Sequence, residues 1–370
     1  MGTVRLGTQG TYNSSVGVKL DVDDAIHILP VDDVPVQKLL SSEPTNSIKV
    51  EWLEEELMPS VGTVSSVAGT SSPWVLTMTA GHGSRFRVGD ILTIRGRAYD
   101  IQFRVTVVAV DDVTVAGFGS TAATDDPAAA DVVEIIGQVR DEGSDPDTAR
   151  SIDRDNAFNY TQIQQEAVEV TRSQKGRAMY GVGDPYDHEV MKKFKELAIR
   201  KDKALVNGVR YTDNAKLRSM GGLFYFITTN TESGTVSQVR AKVNALVRKT
   251  YDAGGNPKVL MCSPAVRVAI SDNWDPTLRR TTRSDTTGGY TIESIVTDFG
   301  TIRLETSRHF PGTKGLLLQT EFDKRRVFTG TFHEMLAKTG DRDSGQLVCE
   351  DSLQVKNQKA QGVLTLTDAV

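Results

Sequence analysis

The residues of this 370-residue chain that could do chemistry are few, and each set can be tested by the spacing its chemistry demands. A zinc-hydrolase helix needs two histidines four residues apart, with a glutamate after the first. His188-Glu189 is followed at that distance by Lys192, and His333-Glu334 by Ala337, so neither pair completes a ligand set. Asp187, His188 and Glu189 read instead as first-turn residues of a helix, where acids complement the dipole. The stretch "DRDSG" at 341–345 opens like a calcium loop. Gly345 takes the third acidic position, however, and no glutamate stands at the twelfth, so a polar turn is expected. "YGVGDP" at 180–185 lacks the third glycine and the preceding parallel strand of a dinucleotide site, and neither a GxSxG elbow nor a GxxxxGK(S/T) loop occurs. Cys262 and Cys349 are the two cysteines, far apart and without ligand-like spacing to any of the five histidines. The chain is expected to be no enzyme and to carry no metal or cofactor.

A different kind of cluster lies at 277–290, "TLRRTTRSDTTGGY". Arg279, Arg280 and Arg283 sit among threonines and glycines with no apolar periodicity, which suits a loop able to meet carboxylates or phosphates. A solvated loop is the plainer reading. Without interleaved aromatics, specific single-strand binding is not expected.

Composition narrows the partners further. With 25% charged and 38% hydrophobic residues the chain is an ordinary globular one, and a formal net charge of -5 argues against a protein that coats DNA. Residues 1–30 lack the basic-then-apolar layout of a signal peptide, and no run approaches the roughly 20 apolar residues that span a bilayer. The product is therefore expected to stay in the cytoplasm where it is made, with no membrane partner. Its length allows two or three cores, since domains run to about 100–200 residues.

The elements follow from patterning. Residues 47–57, "SIKVEWLEEEL", alternate as a strand with Ile48, Val50 and Trp52 on one face, though the acidic end could turn helical. Between Pro59 and residue 140 short β-like runs recur about every ten positions, the spacing of a sandwich or barrel. Among them is "RFRVGDILTIRG" at 85–96, where Ile91 or Leu92, Ile94 and then Ile101, Phe103, Val105 and Val107 supply a buried face. The acidic loop "DEGSDPD" closes the segment. Beyond it, residues 158–173 look extended and are expected to pair with 47–57. The result would be a long two-stranded arm with the barrel at its tip.

The helix 185–207 is marked at both ends, by Asp184 as cap with Pro185 in the first turn, and by Gly208 as a left-handed C-terminal cap. Its stripe is Val190, Met191, Phe194, Leu197, Ala198, Lys201 and Leu205, with Glu189 and Lys193, or Glu196 and Arg200, pairing on the wet face. A second helix, 236–252, presents Val239, Val243, Leu246, Val247 and Tyr251. A strand at 258–263 leads to a short helix capped by Ser263 and Pro264, and strands dominate from 290 onward.

The order of these parts resembles the major capsid proteins of tailed bacteriophages with the HK97-like fold, in the branch found in short-tailed phages. The resemblance rests on "ILPVDDVPVQKLL" (28–40), "VEWLEEEL" (50–57), "NYTQI" (159–163) followed by "VEVTRSQKG", the helix 185–207, and "MGGLF" (220–224). "VLMCSPAVRVAISD" (259–272) leading to "YTIESIVTDFG" (290–300) completes it. It implies an α+β subunit with an N-terminal arm at 1–46 and extended-loop strands at 47–58 and 141–175. A β-barrel domain would be inserted at 59–140, with a peripheral domain at 176–224 and 341–370 and an axial domain at 225–340.

It also implies self-assembly into hexamers and pentamers forming an icosahedral head around packaged double-stranded DNA, bound without sequence specificity. A separate scaffolding protein and a portal would be partners, and the virion the final location, after assembly in the host cytoplasm. Under this reading Trp52, Glu54, Glu55, Arg279, Arg280 and Arg283 are expected at contacts between subunits, and the barrel is expected to clamp neighbours from outside. The rival readings are a host-surface or sugar-binding tail module and an encapsulin-like nanocompartment shell. Aromatics at 6% and the lack of an internal repeat speak against the tail module.

Overall fold

The computed structural model describes residues 34–97, 101–118, 126–145, 150–177, 183–213, 216–274, 293–338 and 340–368. The expected N-terminal arm lies outside the described residues up to residue 33. The chain divides into two compact units, one made of Met1–Trp52 with Asn156–Val370, the other of Leu53–Asp155.

In chain order, α1 (Pro35–Leu39), β1 (Ser41–Pro44) and β2 (Lys49–Glu54) come first, followed by β3 (Val61–Ala68), β4 (Trp74–Met78), β5 (Asp90–Ile94), β6 (Gln102–Ala109), β7 (Asp112–Phe118) and β8 (Val132–Gln138). After these come β9 (Asp155–Tyr160), β10 (Gln162–Thr171), α2 (Arg172–Gly176), α3 (Pro185–Asn207), β11 (Tyr211–Asp213), β12 (Leu217–Ser219), α4 (Leu223–Phe226) and β13 (Thr231–Gly234). The remainder is α5 (Val239–Asp252), β14 (Val259–Cys262), α6 (Pro264–Asn273), β15 (Ser294–Thr297), β16 (Gly300–Thr306), β17 (Lys314–Leu318), β18 (Asp323–Met335), β19 (Arg342–Val355) and β20 (Gly362–Leu366).

The smaller unit is a closed barrel in the order β3-β4-β7-β6-β5-β8, as its turn spacing predicts. Its core holds Trp74, Leu76, Met78, Leu92, Ile94, Phe103, Val105, Val113 and Val115, with the Trp74 and Phe103 rings edge-to-face at 5.6 Å. One expected core residue is outside: Val107 is exposed. The register between β6 and β7 shifts between Val105 and Val107, and a bulge of this kind reverses which face later residues occupy. Val108 takes the inward place instead.

In the larger unit a six-stranded mixed sheet, β13-β20-β17-β14-β16-β15, is covered on both faces. Alternation sorts its residues. Leu260, Leu304, Leu317 and Leu364 meet Val239, Val243, Leu246, Val266 and Ile270 of α5 and α6. Met261, Leu316, Leu318 and Val363 meet Val36, Leu205, Val206 and Leu223. Burial on two sides explains why "VLMC" and "GLLL" read as unbroken apolar runs. Tyr251, expected on the inner face of α5, is exposed, and Thr250 is buried in its place.

A four-stranded sheet, β1-β18-β19-β10, carries α3. Strand membership corrects the sequence expectation in two ways. Only β9 pairs with β2; residues 162–171, expected in the same long arm, run antiparallel to β19 from Gln162 opposite Asp351 to Thr171 opposite Arg342. The division at residue 340 also fails to follow the sheets, because β18 joins β19 while β20 joins the six-stranded sheet. Ile48, expected beside Val50 and Trp52, is exposed just before β2, although its carbonyl accepts the Thr161 N–H at 2.9 Å.

Helix α3 spans the predicted residues, and Asp184 accepts the Tyr186 N–H at 2.8 Å. Its inner face is Tyr186, Leu197, Lys201 and Leu205, whereas Met191 and Phe194 are exposed. The wet-face pairs are Glu189 with Lys192 at 3.7 Å and Lys193 with Glu196 at 2.6 Å; Arg200 instead reaches Glu166 on β10. Gly208 is not left-handed, with φ -58° and ψ 148°. It is glycine because a Cβ there would lie 2.5 Å from the carbonyls of both Ala204 and Met220.

Candidate assembly surfaces

The polar groups that might have carried chemistry are spent on structure. His333 Nε2 and the Tyr186 hydroxyl share a 2.9 Å hydrogen bond. The "DRDSG" stretch is not the polar turn expected, because residues 342–345 open β19; Asp341 pairs with Arg172 at 2.8 Å, and Asp343 with Lys338 at 2.6 Å and Lys175 at 3.2 Å. The Lys338 hydrogen bond leads the effects that hold the Asp343 carboxyl below its ordinary range. Burial pushes the Cys262 thiol up to about 12 and Cys349 in the same direction, so neither is a nucleophile at neutral pH. Among the described residues no group of three His, Cys, Asp or Glu side chains could hold a metal, and no helix is long and apolar enough to cross a membrane.

What the residues do build is a set of long-range ties. Asn159 of "NYTQI", fully buried, donates to the carbonyls of Leu353 (2.7 Å) and Gly221 (3.0 Å) and accepts the Gly221 N–H at 2.8 Å. It thereby locks the strand junction at 159–161 to "MGGLF". Glu350 on β19 accepts from Arg218 at 2.9 Å and from the Thr161 hydroxyl. These satisfied networks explain the polar letters of those motifs.

Of the residues expected at subunit contacts, Trp52 is only 5% exposed, its ring 5.8 Å from that of Phe226, so it packs within its own chain. Glu54 is half-buried, and Glu55 is exposed beside Arg154 at 3.3 Å. Arg279, Arg280 and Arg283 lie outside the described residues. Phe328, Phe332 and Met335 of β18 are exposed, and sequence reasoning missed a second apolar surface, that of the exposed Met191 and Phe194 on α3. Beside it a cavity of about 230 Å³ is lined by Phe194, Lys201, Arg325, Thr331 and Asp351 among others. Lys201 Nζ lies 2.6 Å from an Asp351 oxygen, both side chains buried. The visible signal was Lys201, the one polar member of the α3 stripe. Leu53 and Leu57, beside Glu54–Glu56, add exposed apolar surface at the start of the barrel unit.

Exposed apolar faces on a frame of satisfied polar ties suit association with other molecules. The model of one family, the SU10 major capsid protein, matches residues 6–368. The chain belongs to that family. A search of curated proteins found no match. Among solved structures, the capsid of Myoviridae phage XM1 aligns with 95% of this chain and 99% of its own, at 10% identity and a TM-score of 0.52. The capsid of an empty GTA particle aligns over 97% and 99%, at 8% identity and the same TM-score. An encapsulin complex from Synechococcus elongatus, at 11% identity and a TM-score of 0.41, aligns over 58% of this chain and 77% of its own. The capsid protein thus has the mixed α+β, HK97-like fold of phage capsids. Family membership decides against the tail-module reading.

Proposed function

We propose that this capsid protein is the shell subunit of a tailed-phage head, joining copies of itself as hexamers and pentamers around packaged double-stranded DNA. The observation that carries the reading is a capsid family match over residues 6–368 on a fold shared end to end with phage capsids. No chemical turnover is required of it. Many modest contacts sum to a stable shell when symmetry closes. Assembly in the host cytoplasm, with a separate scaffolding protein and a portal, completes the reading.

Within the subunit, the β2–β9 ribbon is the paired base of the extended loop, and the barrel of 59–140 is an insertion in that loop. The sheet carrying α3 is the peripheral domain, and the six-stranded sheet with α5 and α6 is the axial domain. Arg279, Arg280 and Arg283 of the axial domain meet acids of an adjacent subunit, and the barrel clamps neighbouring subunits. Electron microscopy of the purified protein, alone and with a scaffolding partner, tests the reading. Rings, tubes or closed shells are expected; a monodisperse monomer at every concentration would overturn it.

A further inference from the structure

Two features of the molecule leave groups unspent by its own packing. The first is the turn between β6 and β7. Val110 has φ +53°, a region that β-branched residues avoid, and is 87% exposed. The turn is nevertheless fastened. Asp111 Oδ1 accepts the N–H groups of Gly81 (2.9 Å) and Gly83 (3.2 Å), and Gly83 lies so close to the Val110 carbonyl that a Cβ there would collide with it. Positive φ at the first residue of a two-residue hairpin loop matches the strand twist, and here it holds an apolar side chain outward on a fixed backbone at a stability cost. Asp112, the next acid along, is exposed.

The second is the cavity between α3 and β18. Lys201 and Arg325 line it with one carboxylate, Asp351, which leaves it net positive. Among the described residues, Arg325 Nε has no hydrogen-bond partner, nor does either Asp351 oxygen outside its ion pair with Lys201. Asp351 is 4% exposed and Arg325 half-buried, and both line the cavity. The half-exposed Phe194 lines it too, with Met191 exposed on the preceding turn of α3. The net positive lining and the Arg325 Nε donor suit one added negative charge next to one apolar group.

Charge shows which part of the chain fits. Leu53–Asp155 holds seventeen acidic residues, eight arginines and no lysine, a net of -9, whereas the rest of the chain is net +4. We propose that the β6–β7 turn of one subunit seats in the α3/β18 cavity of a second copy. Val110 covers Phe194 and Met191, and the Asp112 carboxylate meets Arg325 and Lys201, which leaves the cavity neutral. This rests on the assembly reading above and gives the barrel's clamp a definite partner.

The test uses assembled particles. In the variant Val110→Cys with Thr331→Cys, seating brings the two positions within the roughly 6 Å Cα separation a disulfide needs. Oxidation is expected to give covalent dimers and higher oligomers, absent from either single variant. Well-formed particles that yield no covalent oligomers, or only an internally linked monomer, overturn the proposal. Val110→Asp gives a second reading, since aspartate tolerates positive φ better than valine. Particles of that variant are expected to break at a lower temperature while the free subunit unfolds as before; equal particle stability would count against seating. If the parent protein forms no particles at all, the assembly reading has failed instead.

Discussion

Asp323 shows how far one buried residue can make the fold respond to pH. It is fully buried at the start of β18, and burial pushes its carboxyl up to about 7 against the Gln361 hydrogen bond that favours ionisation. Gln361 Nε2 donates to Asp323 Oδ1 at 2.7 Å, while Oδ2 and Gln361 Oε1 are each without a partner among the described residues. Holding a proton on this carboxyl removes the buried charge. Because the folded state holds this proton more tightly than the unfolded chain, the contribution to stability is complete below the ordinary value of 3.8. It is lost as pH rises to about 7. Asp323→Asn keeps an isosteric acceptor for Gln361 Nε2 without the charge. It is expected to raise unfolding free energy at pH 8 by at most about 4 kcal/mol, with no gain near pH 4, as read from urea midpoints. A second residue-scale expectation concerns Lys201. Lys201→Met strands Asp351 and should cost about 3–5 kcal/mol in thermal unfolding, most of it recovered by adding Asp351→Leu. Lys201 was visible in the sequence as the odd member of an apolar stripe. Its partner, 150 positions away, carried no local signal.

At the scale of elements, what was legible is what local chemistry dictates. Asp184 and Pro185 gave the start of α3, Ser263 and Pro264 that of α6, and alternation with recurring turns gave the barrel strands. What failed were pairings and faces set by distant chain. Strand β10 was expected to follow β9 in pairing with β2, but all ten of its residues pair with residues 342–351 of β19. Gly208 separates the two kinds of information. Its position at a helix end suggested a left-handed cap, and its φ of -58° is one that alanine accepts readily. The requirement comes from the Ala204 and Met220 carbonyls instead. Gly208→Ala is therefore expected to destabilise the fold by about 1–3 kcal/mol through backbone crowding. A cap argument alone would be answered by asparagine, so Gly208→Asn should be at least as damaging, measured by the same denaturant titration.

For the whole molecule, the question is whether the barrel is a part or a passenger. Its own apolar core and closed sheet, without a free edge to pair, meet the conditions for independent folding at its length. Excised as residues 53–155, it is expected to unfold cooperatively in urea and to keep its near-ultraviolet aromatic signal from Trp74. That result licenses the deletion that tests its role. If residues 59–140 are replaced by a short Gly/Ser bridge, the larger unit keeps its four- and six-stranded sheets and the core clusters that pack on them, so shells should still nucleate. What they lose is a folded body able to rest on a neighbour, a gain set against the entropy of ordering an arm. The deleted shells are expected to break at a lower temperature or a lower internal pressure than the parent. Equal stability would remove the clamp from the mechanism, and the barrel would then be better assigned to attachment at a host surface.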